Sequence, residues 1–320
     1  MAKCALPRAI KVAKLERISM VEKQSTISEG EALDGFLDQL QQAREIKEIS
    51  GWDSGFANLN GALDGILPGV YFLIGPPACG KTSFAKQLLD QVALRNDTIG
   101  LFLSFNESKK ELRIKTLARL SGIENREIRR GSAYLLHWYG TPRLAGQQAE
   151  QLSPSWEKVK RCAEEARAWL DSIFLLECGP RTTVEELEAQ AREIMRTKNK
   201  ENLVIVIDDC QRLVPEERSL QVRLLFLTEQ LAALARNMNA TLLAIWPDLS
   251  ENGRTAPQAW AEKALGADVV MVLEQNPERT DKLSDSAQLM NLYVVKNRAG
   301  ERGTIAFEFQ PAFARFSEIP

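Results

Sequence analysis

The chain has 320 residues, enough for one large domain or two modest ones. With 44% hydrophobic and 26% charged residues its composition is that of an ordinary globular protein, which excludes wholesale disorder. Lys plus Arg number 41 against 43 for Asp plus Glu, a net charge of −2, so a globally basic coat for nucleic acid is excluded and any such contact must be local. Residues 1–28 read as a flexible basic arm. Its first 23 residues carry Lys3, Arg8, Lys11, Lys14, Arg17 and Lys23 against Glu16 and Glu22, about +4 in all. A solvated tail is the first reading of such an arm and a nucleic-acid arm the second. Residues 29–50 turn acidic, and Leu33, Phe36, Leu37 and Leu40 form the i, i+3, i+4, i+7 stripe of an amphipathic helix that ends near Ser50-Gly51.

From Gly51 the pattern alternates strands with helices. Strand 70–74 is followed by helix 81–94, with Phe84, Leu88 and Val92 on one face, then strand 99–104 and helix 108–120. Residues 131–155 mix Gly, Gln, Ser and aromatics and read as an irregular insertion. Helix 156–170, strand 173–176 and helix 183–197 come next. Leu203–Ile207 is an uninterrupted apolar strand, the mark of a parallel sheet covered on both faces. Helix 219–237, strands 241–245 and 268–273, and a final pair at 289–296 and 303–309 complete the chain. The last alternates Ile305, Phe307 and Phe309 with Ala306 and Glu308, as a half-buried strand does. The series predicts an α/β fold with a central, mostly parallel sheet and antiparallel C-terminal strands.

Five scattered cysteines without a C-x-x-C pair argue against a disulfide framework or zinc site and fit a reducing cytoplasm. A single histidine, His137, speaks against a Ser–His triad. No apolar run approaches the roughly 18 residues of a membrane span, so no membrane partner is expected.

The strongest signal is Gly75-Pro-Pro-Ala-Cys-Gly80-Lys81-Thr82, a G-x-x-x-x-G-K-[ST] string set between a predicted strand and a predicted helix. Glycines let backbone N–H groups curl around phosphates, and a helix N-terminus adds positive potential. The candidate nucleotide cradle is therefore Gly75, Pro76, Pro77, Ala78, Cys79, Gly80, Lys81, Thr82 and Ser83. Lys81 would reach the β/γ-phosphates of ATP and Thr82 would ligate Mg²⁺. Strand 203–207 ends in Asp208-Asp209, where an acid sits at the ligand-binding edge of an open sheet, and Asp208 is the second candidate metal ligand. Cys79 reads as a small residue filling a tight turn ahead of a redox switch.

Six strings occur in order: Gly55-Phe-Ala-Asn-Leu-Asn60, Leu67-Pro-Gly-Val70, the phosphate loop, Leu203-Val-Ile-Val-Ile-Asp-Asp-Cys-Gln211, Val295-Lys-Asn-Arg-Ala-Gly-Glu-Arg-Gly-Thr304 and Phe309-Gln-Pro-Ala-Phe-Ala-Arg-Phe316. Together they resemble the C-terminal RecA-like ATPase domain of DnaB-type replicative helicases, within the group that includes the RadA and KaiC proteins. The closing K-x-R-x-G…G-T…F…RF pattern is its most specific part. The resemblance implies a RecA-like domain over 51–320, with 29–50 as a linker helix that docks on an adjacent subunit. It implies a ring-shaped homo-hexamer on single-stranded DNA, with ATP between subunits. It makes Lys296 and Arg298 trans-acting cations for the neighbour's γ-phosphate.

Three departures stand out. The family's catalytic glutamate, in a Ser-Leu-Glu context, falls on Asn106 of Ser104-Phe105-Asn106-Glu107. An asparagine can orient a water but cannot take its proton, so Glu107, one residue on, becomes the catalytic carboxylate candidate. The glutamine expected after strand 241–245 is replaced at Trp246-Pro247. The family's DNA-loop signature becomes Gln258-Ala-Trp-Ala261, with Arg254 and Lys263 nearby. The implied function is an ATP-hydrolysing motor for DNA replication, with hydrolysis slowed at Asn106. The alternatives are an ATP-gated assembly or scaffold protein and a RadA-like recombination accessory protein.

Overall fold

The structure, a computed structural model, describes Ser28, Gly30, Leu33, Leu37 and residues 49–130, 154–213, 220–247, 256–260, 266–276 and 287–319. Two compact units divide at Glu48 and Ile49. Of the first, Gly30, Leu33 and Leu37 are helical and both leucines are exposed. The rest of the expected arm and linker helix, and residues 131–153 of the expected insertion, lie outside the described residues.

The second unit contains, in chain order, α1 (Ala57–Leu63), β1 (Gly69–Gly75), α2 (Lys81–Arg95), β2 (Ile99–Ser104), α3 (Lys109–Ser121), α4 (Asn125–Arg130) and α5 (Pro154–Leu170). There follow β3 (Ile173–Glu177), α6 (Val184–Lys198), β4 (Leu203–Asp208), α7 (Leu220–Met238) and β5 (Thr241–Pro247). The chain closes with β6 (Val269–Gln275), β7 (Gln288–Asn297), β8 (Gly303–Gln310) and β9 (Arg315–Glu318). Among the described residues the nine strands form one sheet in the order β3-β2-β4-β5-β1-β6-β7-β8-β9. Strands β1 to β6 run parallel and β7 to β9 antiparallel.

Sequence pattern explains each layer. Strands β2 and β4 are buried along their whole length, and β1 is from Val70 onward, as parallel strands clad on both faces must be. Val70, Phe72 and Ile74 join one core with α6 and α7, while Tyr71 and Leu73 join the other with α1 and α2. Helix starts are set by short polar side chains. Ser108 caps α3 and Thr183 forms a reciprocal capping box with Glu186 on α6.

The C-terminal strands brace the helix that follows the phosphate loop. Phe84 of α2 meets Phe307 and Phe316 edge to face at 5.5 and 5.3 Å, and Phe309 stacks on Phe316 at 4.2 Å. Gln87 bonds the Phe316 backbone in both directions, donating at 2.8 Å and accepting at 2.7 Å. A second tie links α2 to α3. Buried Lys86 pairs with Asp90 and donates to Thr116 at 2.8 Å, while Arg119 pairs with the other oxygen of Asp90. Burial pushes the Lys86 ammonium down and Asp90 pulls it back up, so the charges are held as a set.

Candidate functional site

Gly75, Ser104, Asp208 and Pro247 all stand at the C-terminal ends of parallel strands, where an open α/β sheet binds ligands. The loop from Gly75 to Lys81 turns through two left-handed residues, Ala78 at φ 62° and Gly80 at φ 93°. At Gly80 a side chain is doubly barred, by the backbone and by the Phe309 ring 2.9 Å from where a Cβ would sit. The N-cap of α2 is Gly80, so no N-cap side chain competes with an anion for the helix's first N–H groups.

Lys81 is 9% exposed. Its Nζ donates to the carbonyls of Gly75 at 2.8 Å and Pro76 at 2.6 Å, folded back over the loop whose phosphates it would meet. Thr82 Oγ1 donates to Asp208 Oδ2 at 2.9 Å, bringing hydroxyl and carboxylate oxygens together. Such hard oxygen donors suit Mg²⁺, which keeps several waters and takes one or two protein ligands beside substrate phosphates. Among the described residues no group of three or more His, Cys, Asp or Glu could hold a metal ion. Cys79 is buried and its thiol is pushed up by burial, so it behaves as a packing residue in the turn.

Burial pushes Asp208 up to about 6, aided by the charges of Glu107 and Asp209 and opposed by the Thr82 hydroxyl and by Lys115. The folded value lies above the ordinary 3.8, so the neutral acid favours the fold at low pH and ionisation costs stability as pH rises through about 6. Asp208→Asn, without metal, should therefore melt above wild type at pH 7, with the gap shrinking toward pH 5. It should also lose the Mg²⁺-dependent rise in melting temperature. A variant that melts no higher at pH 7 would contradict the burial cost.

The acidic candidates beyond Asp208 are already engaged. Glu107 Oε1 pairs with Lys115 at 2.5 Å, its backbone N–H donates to Ser104 Oγ at 2.9 Å, and its Oε2 is buried without a hydrogen-bond partner. Asn106 Nδ2 donates to Asp209 Oδ2 at 3.0 Å, and Arg212 Nε donates to the same oxygen at 2.7 Å. Sequence spacing missed both arrangements. Pro247 pairs in register with Gly75, beside the phosphate loop.

Lys296 and Arg298 are not brought to this edge. Strand β7 runs antiparallel to β6 and places Lys296 opposite Val270, at the N-terminal ends of the parallel strands. The Arg298 backbone N–H donates to Asp268 O at 3.0 Å and its Nη1 pairs with Asp268 Oδ1 at 2.7 Å. Asp268 Oδ2 in turn accepts from Val70 N at 2.9 Å, where β1 begins. Seven-residue β1 therefore separates Arg298 from its own phosphate loop by roughly 20 Å at about 3.3 Å per residue. Burial and the Arg298 charge push Lys296 down. The turn after Arg298 is anchored, because Glu301 N–H and Asn297 Nδ2 both donate to Ala62 O.

The string at 258–261 departs further from a DNA loop than its letters suggest. Trp260 is 2% exposed and joins the core that holds Trp246, so it cannot face nucleic acid. Arg254, Ala261 and Lys263 lie outside the described residues.

A candidate nucleotide cradle, a candidate oxygen pair for a metal and the C-terminal basic hairpin thus stand on one sheet. The model of the DnaB-like helicase C-terminal domain matches residues 51–318. The chain belongs to this family. It is 21% identical to the replicative DNA helicase DnaB of Haemophilus influenzae over 96% of its own length and 65% of that protein. It is 25% identical to the protein of the same name from Buchnera aphidicola subsp. Schizaphis graminum, over 84% and 55%. The chain thus spans just under two thirds of the first relative and little over half of the second. A solved ATPase domain superposes with a TM-score of 0.71 at 19% identity, over 93% of this chain and all of that one. A DnaB-like replicative helicase, solved in a study of its interactions with primase, gives the same score over 92% and 69%. In this DnaB-like chain the sheet is the RecA-like one, and no described helix is long and apolar enough to cross a membrane.

Proposed function

We propose that this chain is an ATP-hydrolysing motor that works as a ring of six copies on single-stranded DNA in replication. The placement of the two charged clusters carries the reading. The phosphate loop and the Lys296–Arg298 hairpin occupy opposite ends of one sheet, so one site can use both only if a second copy supplies the hairpin. A head-to-tail contact whose rotation closes makes a ring with one nucleotide at each interface.

Within the site, Lys81 and the N–H groups at the start of α2 hold the triphosphate, and Thr82 and Asp208 hold Mg²⁺. The metal, when bound, neutralises phosphate charge. Glu107 is the carboxylate proposed to take the proton of the attacking water, after its pairing with Lys115 loosens. Arg298 of the next copy stabilises charge on the γ-phosphate.

A scaffold that binds ATP and hydrolyses it poorly is the second reading, favoured by Asn106 and by the engagement of Glu107 with Lys115. ATP turnover with and without single-stranded DNA, beside native mass measurement, separates the two. The motor reading expects hexamers whose turnover rises with DNA. Hexamers that bind ATP without turnover, with or without DNA, favour the scaffold.

A further inference from the structure

The proposed motor lacks a carboxylate at position 106, yet Asn106 is not loose. Its Nδ2 donates to Asp209 Oδ2, an oxygen that also accepts from Arg212 Nε. A carboxylate flanked by two N–H donors offers only acceptors, so the amide must turn its NH₂ toward Asp209 and its Oδ1 away. Asn106 is exposed at the end of β2, beside β4, at the edge that carries Asp208. The bond to Asp209 uses Nδ2 and leaves Oδ1 as the end of the amide that can accept from a water at this edge.

Chemistry makes that orientation matter. A water attacking phosphorus must keep a lone pair for the new bond and direct its hydrogens at acceptors. An amide oxygen accepts such a hydrogen. An NH₂ in the same place would donate to the lone pair that has to react. A free asparagine offers either end, so its usefulness depends on what holds it.

The holder is maintained at a cost. Asp209 is a non-glycine residue at φ 64°, immediately after β4. Its side chain is 10% exposed, and its Oδ1 is buried without a hydrogen-bond partner. Left-handed backbone and an unanswered carboxylate oxygen together need a reason.

We propose that Asp209, held by Arg212, is a positioning residue for ATP hydrolysis that locks the Asn106 amide with its oxygen toward the attacking water. The role rests on the ATPase reading above. It assigns Asn106 to alignment of the water and leaves proton transfer to Glu107.

Steady-state hydrolysis by the full chain, with calorimetric binding of a non-hydrolysable Mg·ATP analogue, tests it. Asp209→Gly tolerates the left-handed backbone and removes the anchor. It should lower kcat on the order of 10²-fold while KM and analogue affinity hold. Asp209→Asn should keep kcat within a few-fold of wild type, because its amide oxygen accepts from Asn106 and Arg212 alike. Asn106→Ala/Asp209→Gly should be no slower than Asn106→Ala, as for two residues acting as one unit. Wild-type kcat in Asp209→Gly overturns the role. So does Asp209→Asn falling as low as Asp209→Gly, which would make charge and not orientation the contribution, and so do losses that multiply in the double variant. A wild-type chain that fails to bind the analogue overturns the ATP-site reading itself. One that binds it but never turns over ATP overturns hydrolysis and this role together.

Discussion

Lys81→Ala is expected to abolish measurable Mg·ATP binding while leaving the fold intact. The side chain is buried, and its Nζ lies within 2.8 Å of two loop carbonyls, Gly75 O and Pro76 O. The loop from Gly75 to Ser83 carries no second lysine or arginine to take its place. A hydrogen bond involving a charged group contributes about 1.5–3 kcal/mol. Losing two toward the β- and γ-phosphates lowers affinity on the order of 10²–10⁴-fold. The fold should hold because α2 is secured elsewhere, by the Phe84 aromatic cluster and by the Lys86–Asp90–Arg119 set. Calorimetry measures the affinity. Melting with and without Mg·ATP gives an independent reading, since a ligand that binds only the folded chain raises its stability. A variant that binds Mg·ATP as tightly as wild type would show that phosphates do not lie over this loop.

Local features of this site were legible in the sequence and non-local ones were not. The spacing Gly75–Gly80–Lys81–Thr82 sits within one turn of chain, and the apolar run ending at Asp208 marks its own strand. Helix α1 escaped notice because it has seven residues and buries only Leu59 and Leu63. Strand β9 is four residues long and exists through its pairing with β8. The bond between Asn106 and Asp209 joins residues 103 apart, brought together by the order β2-β4 in the sheet. Lys115 meets Glu107 across eight positions, beyond the i+4 reach of one helical turn, because Glu107 precedes the α3 cap at Ser108. Trp260 sits where a family comparison expects a loop, yet an indole can be withdrawn from solvent if the core leaves room, and here it joins the core that also buries Trp246.

The position of Arg298 is the other feature that only strand register reveals, and it yields the steepest kinetic expectation. Strand β7 carries Lys296 and Asn297 to the start of β6, and Arg298 follows there, 67% exposed in its side chain. Asp268 holds it from below through Oδ1 and the backbone, while Asn297 and Glu301 tie the following turn to Ala62. This is a cation on a braced hairpin at the end of the sheet opposite its own phosphate loop. An arginine delivered to a γ-phosphate in the transition state contributes on the order of 10³–10⁵ in rate. Arg298→Ala should therefore spare Mg·ATP binding and lower turnover by that order. On the proposed action across the subunit interface, mixing this variant with Lys81→Ala should restore activity that neither has alone. In a mixed ring, the intact phosphate loop of the Arg298→Ala copy faces the intact Arg298 of the Lys81→Ala copy. Native mass spectrometry establishes that the rings are mixed, and turnover is then followed against the mixing ratio. Mixed rings without recovery, or full turnover by an isolated copy, would leave Arg298 as the partner of Asp268 alone and remove the basis for a site shared between subunits.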